Sequence, residues 1–240
     1  MKLAFNIIDW QASAPGLSAS DDWQAWSKSP AEIDISAPLA KSTYLPMMTA
    51  RRLASGSRLA VECALAVFSR HQVDALVFAS RHGELERNFR ILTALAEGES
   101  LSPTDFAMSV HNSAVGNTTI AAKQALVSSS VSAGYDSFAQ ALIEVASLHH
   151  AGYQRVLLVD FDGLIPEFYH PHLPGEAVNI PFAVGLLLEA GTQMQCETAP
   201  QAIHAAQALP QSLAFLHGWC SGAQTFTLPG ERLVWRWSRH

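Results

Sequence analysis

Nucleophilic and proton-transfer chemistry needs a thiol, hydroxyl or imidazole in a defined setting, and the sequence offers few such settings. The three cysteines, Cys63, Cys196 and Cys220, are odd in number and form no CxxC pair. Neither a disulfide framework nor a zinc site is suggested. The run Ser128-Ser129-Ser130-Val131-Ser132-Ala133-Gly134 half-resembles the Gly-x-Ser-x-Gly elbow that exposes a hydrolase nucleophile on a strand-to-helix turn. Ser132 would be that nucleophile, although the first Gly is absent and small residues suit any tight turn. Glu167-Phe168-Tyr169-His170-Pro171-His172 brings two imidazoles near each other. With Pro171 between them and no supporting cysteine pair, it reads as a loop with scattered polar groups, not a metal site. Asp160-Phe161-Asp162-Gly163 reads as a polar turn at a strand end.

The elements that would position these residues alternate. Residues 3–8 form a first strand candidate, and 10–40, rich in Ser, Ala, Pro and Asp, read as a loop with one short helix near Asp21 and Asp22. Ala60, Val61, Ala64, Leu65 and Phe68 recur at three- and four-residue spacing, the pattern of an amphipathic helix. A buried strand over 73–79 follows, then helical patterns over 84–96 and 106–123, and a short strand over 125–129. Phe138, Leu142, Val145 and Leu148 make one stripe of a further helix, which ends at His149-His150-Ala151-Gly152. Strands follow at 156–159 and 182–188. Strands alternating with helices of this length predict a mostly parallel, two-sided α/β sheet. From residue 192 the pattern changes. Pro200, Pro210 and Pro229 punctuate a tail ending in Leu233-Val234-Trp235-Arg236-Trp237-Ser238-Arg239. Trp235 and Trp237 would share one strand face with Arg236 on the other, as a terminal hairpin or edge strand; a basic aromatic docking strip is the alternative.

The 240 residues are 49% hydrophobic and only 15% charged, against a soluble average of about 25% charged. So little charge implies either an unusually complete core or an apolar face given to a partner. Six Trp and eleven Phe favour the second, since aromatics are enriched at interfaces. The formal charge of −6 argues against a general nucleic-acid binder. No apolar run approaches the ~18 residues of a membrane span, the start is too short for a secretory signal, and a cytoplasmic protein fits best.

Three stretches, in order, resemble the N-terminal half of a β-ketoacyl synthase of the thiolase fold. Ser102-Pro103-Thr104-Asp105-Phe106-Ala107-Met108-Ser109-Val110-His111-Asn112-Ser113-Ala114-Val115-Gly116-Asn117-Thr118-Thr119-Ile120 is similar to that family's interface-helix segment, Pro-x-x-Phe…His-Asn-x-x-x-Gly…Ile. Residues 126–142 resemble its nucleophile turn. Gly152-Tyr153-Gln154-Arg155-Val156 through Asp162, then Phe182-Ala183-Val184-Gly185-Leu186-Leu187-Leu188-Glu189, resemble the strand after the nucleophile helix and the closing strand. Arg51-Arg52-Leu53 also looks like the family, so the resemblance covers roughly residues 50–189. It is greatest toward the short ketosynthase-like proteins of aryl-polyene clusters, which resemble chain length factors and partner a full-length ketosynthase.

The resemblance implies a thiolase-like α/β half-domain over 1–190, a five-stranded mixed, mostly parallel sheet with helices on both faces. The tail, 191–240, is expected to pack on the same domain as a hairpin or edge strand. In the family the nucleophilic Cys lies three residues before the turn Gly. Anchored on Gly134, that position holds Val131, and a one-residue shift gives Ser130 or Ser132, never Cys. The family's catalytic imidazoles come after the closing strand, and His204, His217 and His240 lack their surrounding motifs. The implied function is a non-catalytic, chain-length-factor-like partner that heterodimerises with a full-length β-ketoacyl synthase in fatty acid/polyketide-type (aryl polyene) chain elongation, meeting acyl carrier protein through the complex. The alternative is a Ser-dependent acyl thioesterase or hydrolase using Ser132. The expected interface residues are Phe106, Met108, Val110, His111, Asn112, Asn117, Val127 and Ser128. Met108, Val110 and Val131 would line an acyl tunnel or form ordinary interface core. No metal or other cofactor is expected.

Overall fold

The computed structural model describes residues 1–173, 179–200 and 209–240. Eight strands form one mixed sheet in the order β3-β2-β4-β5-β1-β6-β8-β7. They are β1 (Lys2–Ser13), β2 (Ala75–Ala79), β3 (Val127–Val131), β4 (Val156–Asp162), β5 (Phe182–Ala190), β6 (Met194–Pro200), β7 (Thr225–Pro229) and β8 (Leu233–Arg239). The eight helices are α1 (Ser20–Trp26), α2 (Met47–Ala50), α3 (Ser55–Phe68), α4 (Leu85–Glu97), α5 (Pro103–Ala107), α6 (Ser113–Ala122), α7 (Ser137–His150) and α8 (Gln211–Cys220).

The expectation of five mostly parallel strands is corrected in two ways. The sheet has eight strands, because the tail adds β6, β8 and β7 to it. Only β3, β2 and β4 run parallel; every other neighbouring pair, from β4–β5 outward to β7–β8, is antiparallel. The parallel trio needs helical crossovers, which α4 to α6 and α7 supply, while β5 leads to β6 and β7 to β8 through short turns.

Alternate side chains of each central strand enter two cores, as the two-residue period of a strand requires. On one face, Leu76, Phe78, Leu157 and Val159 pack against Leu59, Ala60, Cys63 and Ala64 of α3 and Ala114 and Val115 of α6. On the other, Val77, Ala79, Val156 and Leu158 meet Phe138, Leu142 and Val145 of α7 and Leu213 and Leu216 of α8. The expected helices on both faces are therefore present. α3 reaches β4 at a backbone-to-backbone contact: a Cβ on Gly56 would collide with Gly163 N.

Two further sequence expectations change. The helical pattern over 106–123 is broken, with residues 108–112 between α5 and α6. Ser109 Oγ donates to the Phe106 carbonyl, the local side-chain competition for backbone that ends helices. The tail tryptophans do not make a docking strip, since Trp235 and Trp237 are buried in the core and only Arg236 of the three is exposed. β8 lies inside the sheet, and β7 is the edge.

Candidate functional site

Three parallel strands end together, and the residues just beyond them build a cleft where α/β sheets commonly receive ligands. Ser80 follows β2, and its N–H donates to the Val131 carbonyl at the end of β3 (3.2 Å). Ser80 Oγ donates to Asp162 Oδ1 at the end of β4 (2.6 Å), and the same oxygen accepts His82 N–H (2.8 Å). Gly83 N–H then returns to Ser80 Oγ (2.7 Å), while the His111 ring meets the Ser80 carbonyl through Nε2 (3.1 Å). A short 3-10 turn, Gly134–Asp136, links β3 to α7. Gly134 takes a left-handed φ of +58°, which a Cβ would strain. Gln211, at the start of α8, locks the turn in place. Its Nε2 donates to Asp136 Oδ1 (2.9 Å) and its Oε1 accepts Ala139 N–H (3.3 Å).

Asp160 is 5% exposed and accepts Ser212 Oγ–H at Oδ2 (2.5 Å). Burial lifts its pKa to about 8, because a charge removed from water without a counterion costs more than one hydrogen bond returns. Asp162 is shifted upward for the same reason, opposed by the Ser80 and His82 contacts. Burial lowers His82. The expectation of a polar turn at residues 160–163 is thus corrected: β4 continues through Asp162, and both carboxylates point into the structure. Sequence reasoning missed this cluster because its members come from positions 80–82, 134–137, 160–162 and 211–212, with no local motif.

The thiols lie elsewhere, and all are held protonated. Cys63 on α3 faces the Ala183 carbonyl (3.9 Å), and burial pushes it to about 12. Cys196 on β6 is pushed up to about 12 and Cys220 at the end of α8 to about 11, each by burial. A condensing nucleophile needs the reverse, a thiolate stabilised in an electropositive setting. Val131 ends β3 opposite Ala79 and packs, half-buried, against the main core. Ser132 is exposed and its Oγ reaches the Arg81 carbonyl at 3.5 Å, with no imidazole bonded to it among the described residues. Of the tail imidazoles, His217 bonds to the Ser29 carbonyl (3.0 Å) and packs edge-on against Trp26, and His240 bonds to Ser238. His204 lies outside the described residues. The His170 ring bonds to Ile165 and Asn179.

The residues expected at an interface lie on β3 and over residues 106–117, from α5 into α6. β3 is the edge strand, and Val127 and Ser128 on it are exposed. Phe106 (66% exposed), Val110 (51%) and Val127 (47%) present large apolar side chains. Ile120, which sequence reasoning did not single out, is 77% exposed on α6. Asn112 is exposed, and His111 and Asn117 are half-buried. Met108 is turned inward, packing on the cluster of Leu45, Ala50, Leu53, Val61 and Leu65. Val110 alone among the three tunnel candidates is an exposed side chain.

Among the described residues no helix is long and apolar enough to cross a membrane. No curated protein sequence matches the chain. The family described as "Beta-ketoacyl synthase, N-terminal domain" matches residues 23–238. A chain of the complex of a ketosynthase (ApeO) with its chain length factor (ApeC) from Xenorhabdus doucetiae is 59% identical. The match covers 99% of this chain and 100% of that one, with a TM-score of 0.96. A β-ketoacyl synthase from Burkholderia phymatum STM815 is 15% identical over 93% of this chain and 71% of that one, TM-score 0.56. The ishigamide ketosynthase/chain length factor is 16% identical over 83% and 68%, TM-score 0.66; these last two show the fold alone. The thiolase-like architecture, the segment around Asn112 and the family match across nine-tenths of the sequence agree: this chain belongs to the β-ketoacyl synthase N-terminal domain family.

Proposed function

We propose that this chain is a catalytically silent, chain-length-factor-like subunit that heterodimerises with a full-length β-ketoacyl synthase in aryl-polyene-type chain elongation. Residues 1–190 carry the family's half-domain, and 191–240 extend it. The observation that carries the reading is the full-length, 59%-identical likeness to a chain of the ketosynthase–chain length factor complex. The site agrees with it in three ways. The nucleophile position holds Val131, all three thiols are held protonated, and β3 leaves an unpaired edge in the described sheet with Val127 exposed on it. Such an edge is an aggregation hazard unless another chain covers it, and a partner's matching strand would do so. In the pair, the partner supplies cysteine and histidines and accepts acyl carrier protein, while Val110, with Met108 and Val131 behind it, borders the growing chain.

The test is co-expression with a full-length β-ketoacyl synthase of an aryl-polyene cluster. The two should co-elute as a complex, and the pair should extend acyl chains that neither makes alone. A monomer that ignores the ketosynthase in sizing experiments at high concentration would refute the assignment.

A further inference from the structure

The cleft beyond β2, β3 and β4 holds polar groups without hydrogen-bond partners among the described residues. The Arg81 guanidinium lies 3.7 Å over the Tyr135 ring and has no carboxylate or carbonyl partner among the described residues. The His82 imidazole and the Tyr135 hydroxyl are likewise unbonded there. All three line one cavity with Asp160. Asp160 uses one oxygen for Ser212, and its second oxygen has no partner among the described residues. Because burial holds this carboxyl at about 8, it carries a proton at neutral pH and is a donor. Asp162 also lines the cavity, but Ser80 Oγ and the N–H groups of Arg81 and His82 already occupy both its oxygens. The unfilled capacity of the cavity is therefore for a ligand rich in acceptor oxygens.

Size narrows the ligand. The cavity measures about 60 Å³, room for roughly four to six water molecules at ~10–15 Å³ each. A long acyl chain does not fit, whereas a carboxylate of roughly two to four carbons matches that volume. Phe138 and Ile165 form apolar wall beside the polar groups, as small-molecule sites usually do.

We infer that this cleft binds a short-chain carboxylate, its oxygens held by Arg81, His82, Tyr135 and Asp160 and its aliphatic end set against Phe138 and Ile165. A bidentate guanidinium contact is the strongest single element, since charge-assisted pairs of this kind outweigh neutral hydrogen bonds. The inference does not depend on the heterodimer, because every group named belongs to this chain.

The experiment is calorimetric titration of the purified full chain, or of its complex with the ketosynthase, with sodium acetate, propionate, butyrate and octanoate. Propionate or butyrate should bind saturably, with a Kd of about 1 mM or below, and octanoate should bind at least about tenfold more weakly. Arg81→Gln should weaken propionate about tenfold or more, the equivalent of ~1.4 kcal/mol. Tyr135→Phe should weaken it less, with melting temperatures confirming that both variants fold. Should Arg81→Gln fail to fold, Tyr135→Phe and the chain-length series still decide the matter. Three outcomes overturn the inference: no saturable binding of any short carboxylate, affinity that rises with chain length, or propionate binding unchanged in a folded Arg81→Gln. Binding of a propionyl thioester more tightly than propionate would also overturn it, since the thioester lacks the charge that Arg81 selects.

Discussion

Asp160→Asn should stabilise the protein, by an amount that grows with pH. In the folded chain burial raises the Asp160 carboxyl to about 8 from its ordinary 3.8. Below about pH 4 both folded and unfolded forms carry the proton, and the shift has no effect on stability. As pH rises from about 4 toward about 8, the unfolded chain releases its proton while the folded one keeps it, so folding becomes progressively less favourable. Above about 8 both are ionised and the penalty stays constant. At neutral pH the difference is about three pH units, an upper bound of about 4 kcal/mol at ~1.4 kcal/mol per unit. That is a large share of a typical stability of about 5–15 kcal/mol. Asparagine copies the neutral acid: its carbonyl can accept Ser212 Oγ–H, and its amide replaces the proton-bearing oxygen. Urea denaturation of both proteins from about pH 4 to about pH 9 is the assay. The two curves should nearly meet at the acid end and diverge with pH, the variant lying higher. Parallel curves, or a variant less stable at neutral pH, would show that Asp160 is ionised in the folded protein and that burial does not control it.

Phe106→Asp should weaken capture of the ketosynthase by about thirtyfold or more, equivalent to ~2 kcal/mol for a buried aromatic anchor, in a pull-down, while leaving the melting temperature of this chain unchanged. Val110→Trp should shorten the product by one two-carbon unit. Two methylenes at ~0.8 kcal/mol each would shift the distribution about tenfold, as read by mass spectrometry; an unchanged distribution from an intact pair would limit this chain to a stabilising role. Ser132→Ala should leave acyl transfer by the pair unaltered and change stability by less than ~0.5 kcal/mol, and labelling of Ser132 by a fluorophosphonate would restore the hydrolase alternative. Arg87 is 2% exposed and joins Glu84, Asp105 and the Arg52 carbonyl. Arg87→Leu should cost about 3–5 kcal/mol in thermal or urea unfolding, since it leaves Glu84 buried without its cation.

Much of the α/β alternation was legible because central strands and amphipathic helices leave periodic signals. Leu157 and Val159 face one core and Val156 and Leu158 the other, so β4 reads as an uninterrupted apolar run. β6 left no such signal: its sequence, Met-Gln-Cys-Glu-Thr-Ala-Pro, is half polar because only Met194 and Cys196 are buried. The sequence pattern marks β1 only over residues 3–8, since Asp9, Trp10 and Gln11 look like loop chemistry and are only half-buried around a register shift between Ile7 and Asp9. That residues 126–142 hold no cysteine is legible in the sequence itself. The carboxyl-end cleft is not, because Asp160 and Ser212, or Arg81 and Tyr135, meet only through tertiary folding. The packing of Met108 toward Leu53 and Leu65 likewise rests on tertiary contacts that its residue type and position do not give.

The place of β1 in the sheet has a consequence for how the chain is born. β1 pairs with β5 on one side and β6 on the other, and Phe5 is opposite Ala190 and Met194. A ribosome therefore makes this strand first among the sheet's members and must add residues 14 to 181 before either neighbour exists. At ~5–20 residues per second that interval is about ten to thirty seconds, during which Leu3, Phe5 and Ile7 have no native strand to meet. The parallel trio can assemble meanwhile, but the centre of the sheet closes only once β5 and β6 have been made. For this architecture the nascent chain, more than the finished one, exposes these apolar side chains, and slower translation lengthens that exposure.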